Sequence, residues 1–154
     1  MNPTAAPGMR VLHVLAPARE GGLERVVEML ASGQGARAQV AAVMSPGDAA
    51  GHPFVQDIRG RGIVVHEIIV PGRAYIREYR ALRALLTATK PDIVHTHGYR
   101  ADIIAGIAAR REGVPVVSTV HGFVGGGVRN RLNERIQCYA LRRARAVLAV
   151  SRPL

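Results

Sequence analysis

Apolar and polar positions alternate between two periods along the chain, and the switches between those periods mark its elements. Arg10 to Ala16 is a short apolar run, RVLHVLA, expected as a strand buried on both faces with His13 hydrogen-bonded inside it. Leu23, Val26, Val27, Leu30 and Ala31 then recur at helical spacing. Gln39 to Met44 and Ile63 to Val70 predict a second and a third strand, with His66 and Glu67 near the exposed end of the third. Ser45 to Gly51 between them predicts a surface turn, and His52 to Gly60 a short helix. After the Pro71-Gly72 break, Tyr75, Tyr79, Leu82 and Leu86 form an apolar stripe on a helix that ends near Lys90, with Arg77, Arg80 and Arg83 on its solvated side.

The most informative stretch runs from Lys90 to Val124. Asp92-Ile93-Val94 leads into His95-Thr96-His97-Gly98, a helical pattern follows and closes at Gly113 and Pro115, and Val116 to Val120 leads into His121-Gly122. Strand, helix, strand is a βαβ unit with parallel strands, so both strands deliver a His-Gly pair to the carboxyl edge of one sheet. Beyond the Gly125-Gly126-Gly127 cluster, Val128 to Arg145 predicts a long helix with Val128, Leu132, Ile136, Tyr139 and Ala140 on its apolar side. Arg131, Arg135, Arg142 and Arg145 form an arc opposite, and Arg143 snorkels at the helix end. Ala146 to Val150 is a sixth strand. The fold expected is α/β: a doubly wound, mostly parallel Rossmann-like sheet spanning residues 10–154, preceded by a loose tail over residues 1–9.

Such sheets bind ligands outside their carboxyl edge. That edge gathers Gly21, Gly22, Ser45, His97, Gly98, His121, Gly122 and the glycine cluster, with Tyr99 and Arg100 next along the chain from Gly98. Gly21-Gly22 sits between the first strand and the start of the first helix. Free N–H groups at a helix start favour a phosphate, and glycine lets a ligand approach the backbone; the alternative is a plain turn. His95 and His97 share a strand face, as a metal pair or as packed core residues, with no third ligand evident nearby. No Asp-x-Asp pair is present to hold a divalent ion on a nucleotide diphosphate. His121 is placed to hydrogen-bond a substrate hydroxyl or developing charge, or to satisfy its own loop.

Composition narrows the partners. The net charge is +10, which suits nucleic acid, an anionic membrane surface or phosphorylated small molecules. Aromatic residues make up only 4% with no Trp, too few for a platform that stacks single-stranded bases, and nucleic acid is the least favoured of the three. No apolar run approaches the ~20 residues of a membrane span. Cys138 is the single cysteine, which excludes an internal disulfide and fits a reducing, cytoplasmic compartment.

Four stretches together carry a family resemblance: GGLERVV at Gly21 to Val27, PDIVHTHGYRADIIAGIAAR at Pro91 to Arg110, VVSTVHGF at Val116 to Phe123, and RNRLNERIQCYALRRARAVLAVS at Arg129 to Ser151. In this order the chain resembles the N-terminal half of a family 4 type glycosyltransferase with the two-domain GT-B architecture. The resemblance implies the acceptor-side domain of a retaining, metal-independent enzyme that needs no cofactor and takes a nucleotide-sugar donor and a sugar or lipid-linked acceptor. It implies that Gly21 and Gly22 approach the donor diphosphate and that His121 lies beside the donor sugar, as the catalytic residue. His97, Gly98, Tyr99, Arg100 and Gly122 are then the acceptor edge of the site. The family's donor-binding C-terminal domain, with its paired glutamates, is absent from this sequence, so the chain alone is expected to be inactive. The alternative is a non-catalytic module that binds a phosphosugar or nucleotide. A lipid-linked acceptor would place the parent enzyme on the inner face of a membrane, with the arginine arc of the last helix facing anionic lipid.

Overall fold

The computed structural model describes residues 8–19, 21–120 and 128–150, the last segment with side chains from residue 135 onward. Six strands form one parallel sheet: β1 (Val11–Leu15), β2 (Ala38–Met44), β3 (Val64–Ile69), β4 (Ile93–His97), β5 (Val116–Val120) and β6 (Ala146–Ala149), in the order β3-β2-β1-β4-β5-β6. The intervening helices are α1 (Gly22–Gln34), α2 (Pro46–Ala49), α3 (Pro53–Gly60), α4 (Tyr75–Thr89), α5 (Tyr99–Arg111) and α6 (Val128–Leu141).

The period of two along each strand divides the core into two layers. Leu12, Val14, Val94 and Val116 face one side and pack with Leu82 and Leu86 of α4 and with Ala101, Ala105 and Ala108 of α5. Leu15, Val40, Ala42 and Met44 face the other side and pack with Val27 and Ala31 of α1 and with Phe54 and Ile58 of α3. The small residues on α5 let that helix lie close against the sheet. This is the doubly wound α/β arrangement that the sequence pattern predicts.

Two elements differ from the sequence reading. The turn expected over 45–51 contains a four-residue helix, Pro46–Ala49, started by Ser45, whose Oγ donates to Asp48 Oδ2 at 2.6 Å, and by Pro46 at the first helical position. The last helix stops at Leu141 rather than Arg145. Its buried side is also rotated from the expected one: Gln137 and Ala140 are buried, while Ile136 and Tyr139 are 42% and 57% exposed. A hydrogen bond from Gln137 Nε2 to Asp102 Oδ2 at 2.8 Å explains the rotation. A polar pairing, invisible to a hydrophobic periodicity, turns α6 about its axis. Arg143 stacks over Tyr139, with its guanidinium carbon 4.0 Å from the ring centre.

Asp102 ties this half of the molecule together. It lies in the first turn of α5, is 3% exposed, and accepts from Thr96 Oγ1 and Ser118 Oγ at 2.6 Å as well as from Gln137. One carboxylate thereby joins β4, β5, α5 and α6. Asp102→Ala should leave three buried donors without that acceptor and cost about 3 kcal/mol or more. For a domain of this size that is a fall in Tm of roughly 6–12 °C by thermal unfolding; a fall of under about 2 °C would show that the network is not structural.

Candidate functional site

The strand order reverses direction between β1 and β4: from β1 the chain moves outward to β2 and β3, then returns to β4 and continues to β5 and β6 on the other side. A crevice opens outside the carboxyl ends of two strands at such a reversal. Leu15 and His97, the last residues of β1 and β4, stand opposite each other there.

Two glycine loops leave these strand ends and touch. Gly21 precedes α1 and Gly22 is its first residue, both exposed, and no side chain caps the helix. Its first N–H groups and the positive end of its dipole therefore face the crevice. The two glycines differ in their surroundings. A Cβ on Gly21 would run into the Glu24 carboxylate, whereas a Cβ on Gly22 would meet nothing within 4 Å. Glu24, 7% exposed, accepts from the Ala18 N–H at 2.7 Å and braces the loop from within, leaving the Gly22 side open. Just after β4, Gly98 has a φ of +84°, a conformation costly for any residue with a Cβ. Its Cβ position is also only 3.3 Å from Leu23 Cδ1, so glycine lets the start of α5 and the start of α1 approach.

The remaining expected site residues separate into groups. Tyr99 is 54% exposed at the start of α5. Arg100 is held by Glu78 of α4, its Nε and Nη2 donating to Oε2 at 2.8 and 2.7 Å. The Glu78 side chain is only 1% exposed, so removing Arg100 would strand a buried carboxylate. His97 ends β4 at the crevice, but its imidazole turns under α1 and is 1% exposed. Ser45 starts α2, on the neighbouring strand end. His121, Gly122 and the glycine cluster at 125–127 lie outside the described residues.

His97 belongs to a cluster that spacing along one strand could not reveal. His13, His95 and His97 come together on the α1 side, each offering a nitrogen within 4.8 Å of the others, a separation short enough for a metal ion. The missing third histidine was on the adjacent strand: His13 stands opposite His95 in the β1–β4 register. Hydrogen bonds account for the arrangement as it stands. His13 Nε2 donates to Gln34 Oε1 at 2.8 Å, so His13 Nδ1 accepts from His97 Nε2 at 3.1 Å, and His95 Nε2 pairs with Thr119 Oγ1 at 2.7 Å. His13 was expected as a hydrogen-bonded core residue, and it is one, with 0% exposure. Burial lowers its pKa below the ordinary 6.5, against a smaller opposing effect of the Gln34 hydrogen bond. With His13 neutral, its contact with Gln34 Oε1 places the proton on Nε2 and leaves Nδ1 as the acceptor.

With this geometry established, comparison with known proteins places the chain. The model of glycosyltransferase family 4 matches residues 20–154. The chain belongs to glycosyltransferase family 4. It is 57% identical over 44 residues to the Escherichia coli UDP-Gal:alpha-D-GlcNAc-diphosphoundecaprenol alpha-1,3-galactosyltransferase, a stretch covering 28% of this chain and 11% of that enzyme. HepE of Anabaena, solved in complex with UDP, superposes with a TM-score of 0.70 at 20% identity, over 90% of this chain and 37% of HepE. UDP-GlcNAc 2-epimerase of Methanocaldococcus jannaschii superposes with a TM-score of 0.63 at 12% identity, over 93% of this chain and 40% of the epimerase. The fold is thus shared with HepE and with this epimerase, and the chain spans well under half the length of these relatives. Within the family it corresponds to the N-terminal domain of the GT-B architecture.

The lowered His13 pKa fixes the sign of a pH effect. Because folding favours neutral His13, its stabilising contribution is complete above the unfolded pKa near 6.5 and is lost as pH falls from there toward the folded pKa. The unfolding free energy should decline below pH 6.5, with a limiting slope of roughly 1.4 kcal/mol per pH unit, and Tm with it. The slope should be shallower in His13→Gln. An unchanged slope in that variant would assign the effect to other groups.

Proposed function

We propose that this chain is the acceptor-side domain of a retaining, metal-independent glycosyltransferase that uses a nucleotide-sugar donor and acts together with a C-terminal donor-binding domain. The observation that carries the reading is the uncapped start of α1 at the sheet's switch point, within a family 4 chain. The names of its relatives support the substrate class: one acts on UDP-Gal and a diphosphoundecaprenol-linked sugar, and another was solved with UDP.

In this reading the donor diphosphate approaches the open side of Gly22, where helix N–H groups compensate the charge gained as the sugar leaves. Gly98, Tyr99 and Arg100, with Gly122, border the acceptor. His121, following Val120 at the end of β5, hydrogen-bonds the donor sugar as a neutral imidazole and so adds no cation beside an electron-poor anomeric carbon. Metal independence and retention are both supported by the family resemblance. Among the described residues no helix is long and apolar enough to cross a membrane. A cytoplasmic protein attached peripherally to the membrane's inner face fits a lipid-linked acceptor.

Purified residues 1–154 should show no sugar transfer, because half a cleft cannot align two substrates. Robust transfer by this chain alone would overturn that expectation. In a two-domain parent, His121→Ala should lower kcat and kcat/KM together by roughly 10²-fold with little change in Tm. A lowered Tm with near-normal turnover would make His121 a loop residue instead. The competing reading, a phosphosugar- or nucleotide-binding module, draws on the same glycine loop. Calorimetric titration of the chain with UDP, paired with the transfer assay on the parent, separates the two: tight binding with no transfer by the parent favours the module.

A further inference from the structure

His13, His95 and His97 form a polar island in an otherwise apolar layer. They lie on the α1 side of the sheet and are 0%, 6% and 1% exposed. Leu15, Val40 and Ala42 build the same layer with hydrocarbon alone. Burying three imidazoles there costs more than burying three aliphatic side chains, unless their nitrogens are used. Burial closes all three rings off from the substrates, so sugar transfer does not use them.

Their geometry is close to that of a three-histidine metal site. A tetrahedral ion bonded at roughly 2.0–2.1 Å holds its ligand nitrogens about 3.3 Å apart and the imidazole centres about 5 Å apart. Here His13 Nδ1 and His97 Nε2 are 3.1 Å apart. The His13 ring centre lies 5.1 Å from that of His95 and 5.3 Å from that of His97, and the latter two are 4.3 Å apart. Each residue offers a ligand atom within 4.8 Å of the others. The longest edge therefore closes by about 1.5 Å at most, within reach of histidine's broad second torsion. The rings are also braced from outside. Gln34 Oε1 accepts from His13 Nε2 at 2.8 Å and keeps the Nδ1 lone pair toward the cluster. Thr119 Oγ1 holds His95 through its Nε2 at 2.7 Å. Such outer partners orient the histidines of metal sites.

We propose that His13, His95 and His97 bind one divalent transition-metal ion, with Zn2+ the best match, in a buried site that pins β1 to β4 beneath α1. Imidazole nitrogens suit zinc, whereas Mg2+ and Ca2+ take oxygen ligands. Water fills the fourth position. Uptake replaces the His13–His97 hydrogen bond by two metal–nitrogen bonds, and the displaced proton moves from His97 Nε2 to its Nδ1. The ion stands where β1 and β4 part at the switch point, and it holds in register the two strands whose loops carry Gly22 and Gly98. This role is separate from the chemistry of transfer, and the inference does not rest on the transferase reading.

The test is calorimetric titration of the metal-free full chain with Zn2+, paired with thermal unfolding. One Zn2+ per chain should bind, and Mg2+ should not. At about 100 times its dissociation constant, Zn2+ should raise Tm by roughly 5–10 °C. Co2+ in its place should give the visible absorption of a tetrahedral nitrogen site, without the thiolate band that ligation by Cys138 would add. His13→Gln and His97→Gln should each lower affinity by at least ~100-fold. Gln34→Ala keeps all three ligands and changes only the end of α1, so it keeps the proposal falsifiable should the histidine variants not fold. It should weaken Zn2+ binding by roughly 10–100-fold. His66→Gln and His121→Gln should bind as the unaltered chain does. Three outcomes would overturn the proposal: no stoichiometric Zn2+ binding by the unaltered chain, unchanged affinity in Gln34→Ala or the folded cluster variants, or loss of binding in His66→Gln or His121→Gln. The first would make the cluster a hydrogen-bonded core and nothing more. None of them bears on sugar transfer by the two-domain parent.

Discussion

The geometry of the site half of this domain depends on a carboxylate that never reaches solvent. Asp102 accepts from the two strand residues Thr96 and Ser118, on neighbouring strands, and from Gln137 on the last helix. An isolated buried charge would be costly, and three short donor contacts offset much of that cost. The contacts are also directional in a way that apolar packing is not. They fix how far α5 advances over the ends of β4 and β5, and therefore where the Gly98 turn, Tyr99 and Arg100 emerge. They also fix the rotation of α6, which puts Gln137 inward and leaves Ile136 exposed.

That dependence explains what was legible in the sequence. Strand and helix positions follow from apolar period and from Gly and Pro breaks, and all six strands lie where the runs predict them. The parallel sheet follows because each strand is separated from the next by a helix. The rotation of α6 was not legible, because Ile136 and Tyr139 are more apolar than Gln137, and a pattern of hydrophobicity gives no weight to a hydrogen bond formed with a residue 35 positions away. The histidine cluster was half legible. Period two placed His95 and His97 on one face, but His13 joins them only once β1 is known to lie beside β4 in that register. Glu24 and Glu78 gave no sign of burial either, since charged residues at helix starts ordinarily face solvent.

The glycine loop shows a further limit of sequence spacing. Gly21 and Gly22 are adjacent and chemically identical, yet one lies against a buried carboxylate and the other against open space. Their functions in the proposed site differ accordingly. Gly21 makes room for Glu24, which holds the loop through Ala18, and Gly22 exposes the helix terminus toward a ligand. Leu23, next in line, sits against Gly98, so the loop that would meet the donor is in contact with the strand end that would border the acceptor. A GT-B enzyme must align both substrates, and this contact couples their two loops directly.

Charge is distributed by the same logic. Glu24, Glu78 and Asp102 are the third, fourth and fourth residues of α1, α4 and α5, three helices that begin at the carboxyl edge, and all three are buried. A helix start is where the backbone dipole best offsets a buried negative charge. None of these helices has a side-chain cap at its N-cap, where Gly21, Ala74 and Gly98 stand. These three acids thus serve the interior of the domain. Arg100 is drawn inward by Glu78, and that pairing holds α4 to α5. The net charge of +10 is therefore expressed at the surface more strongly than the composition alone suggests.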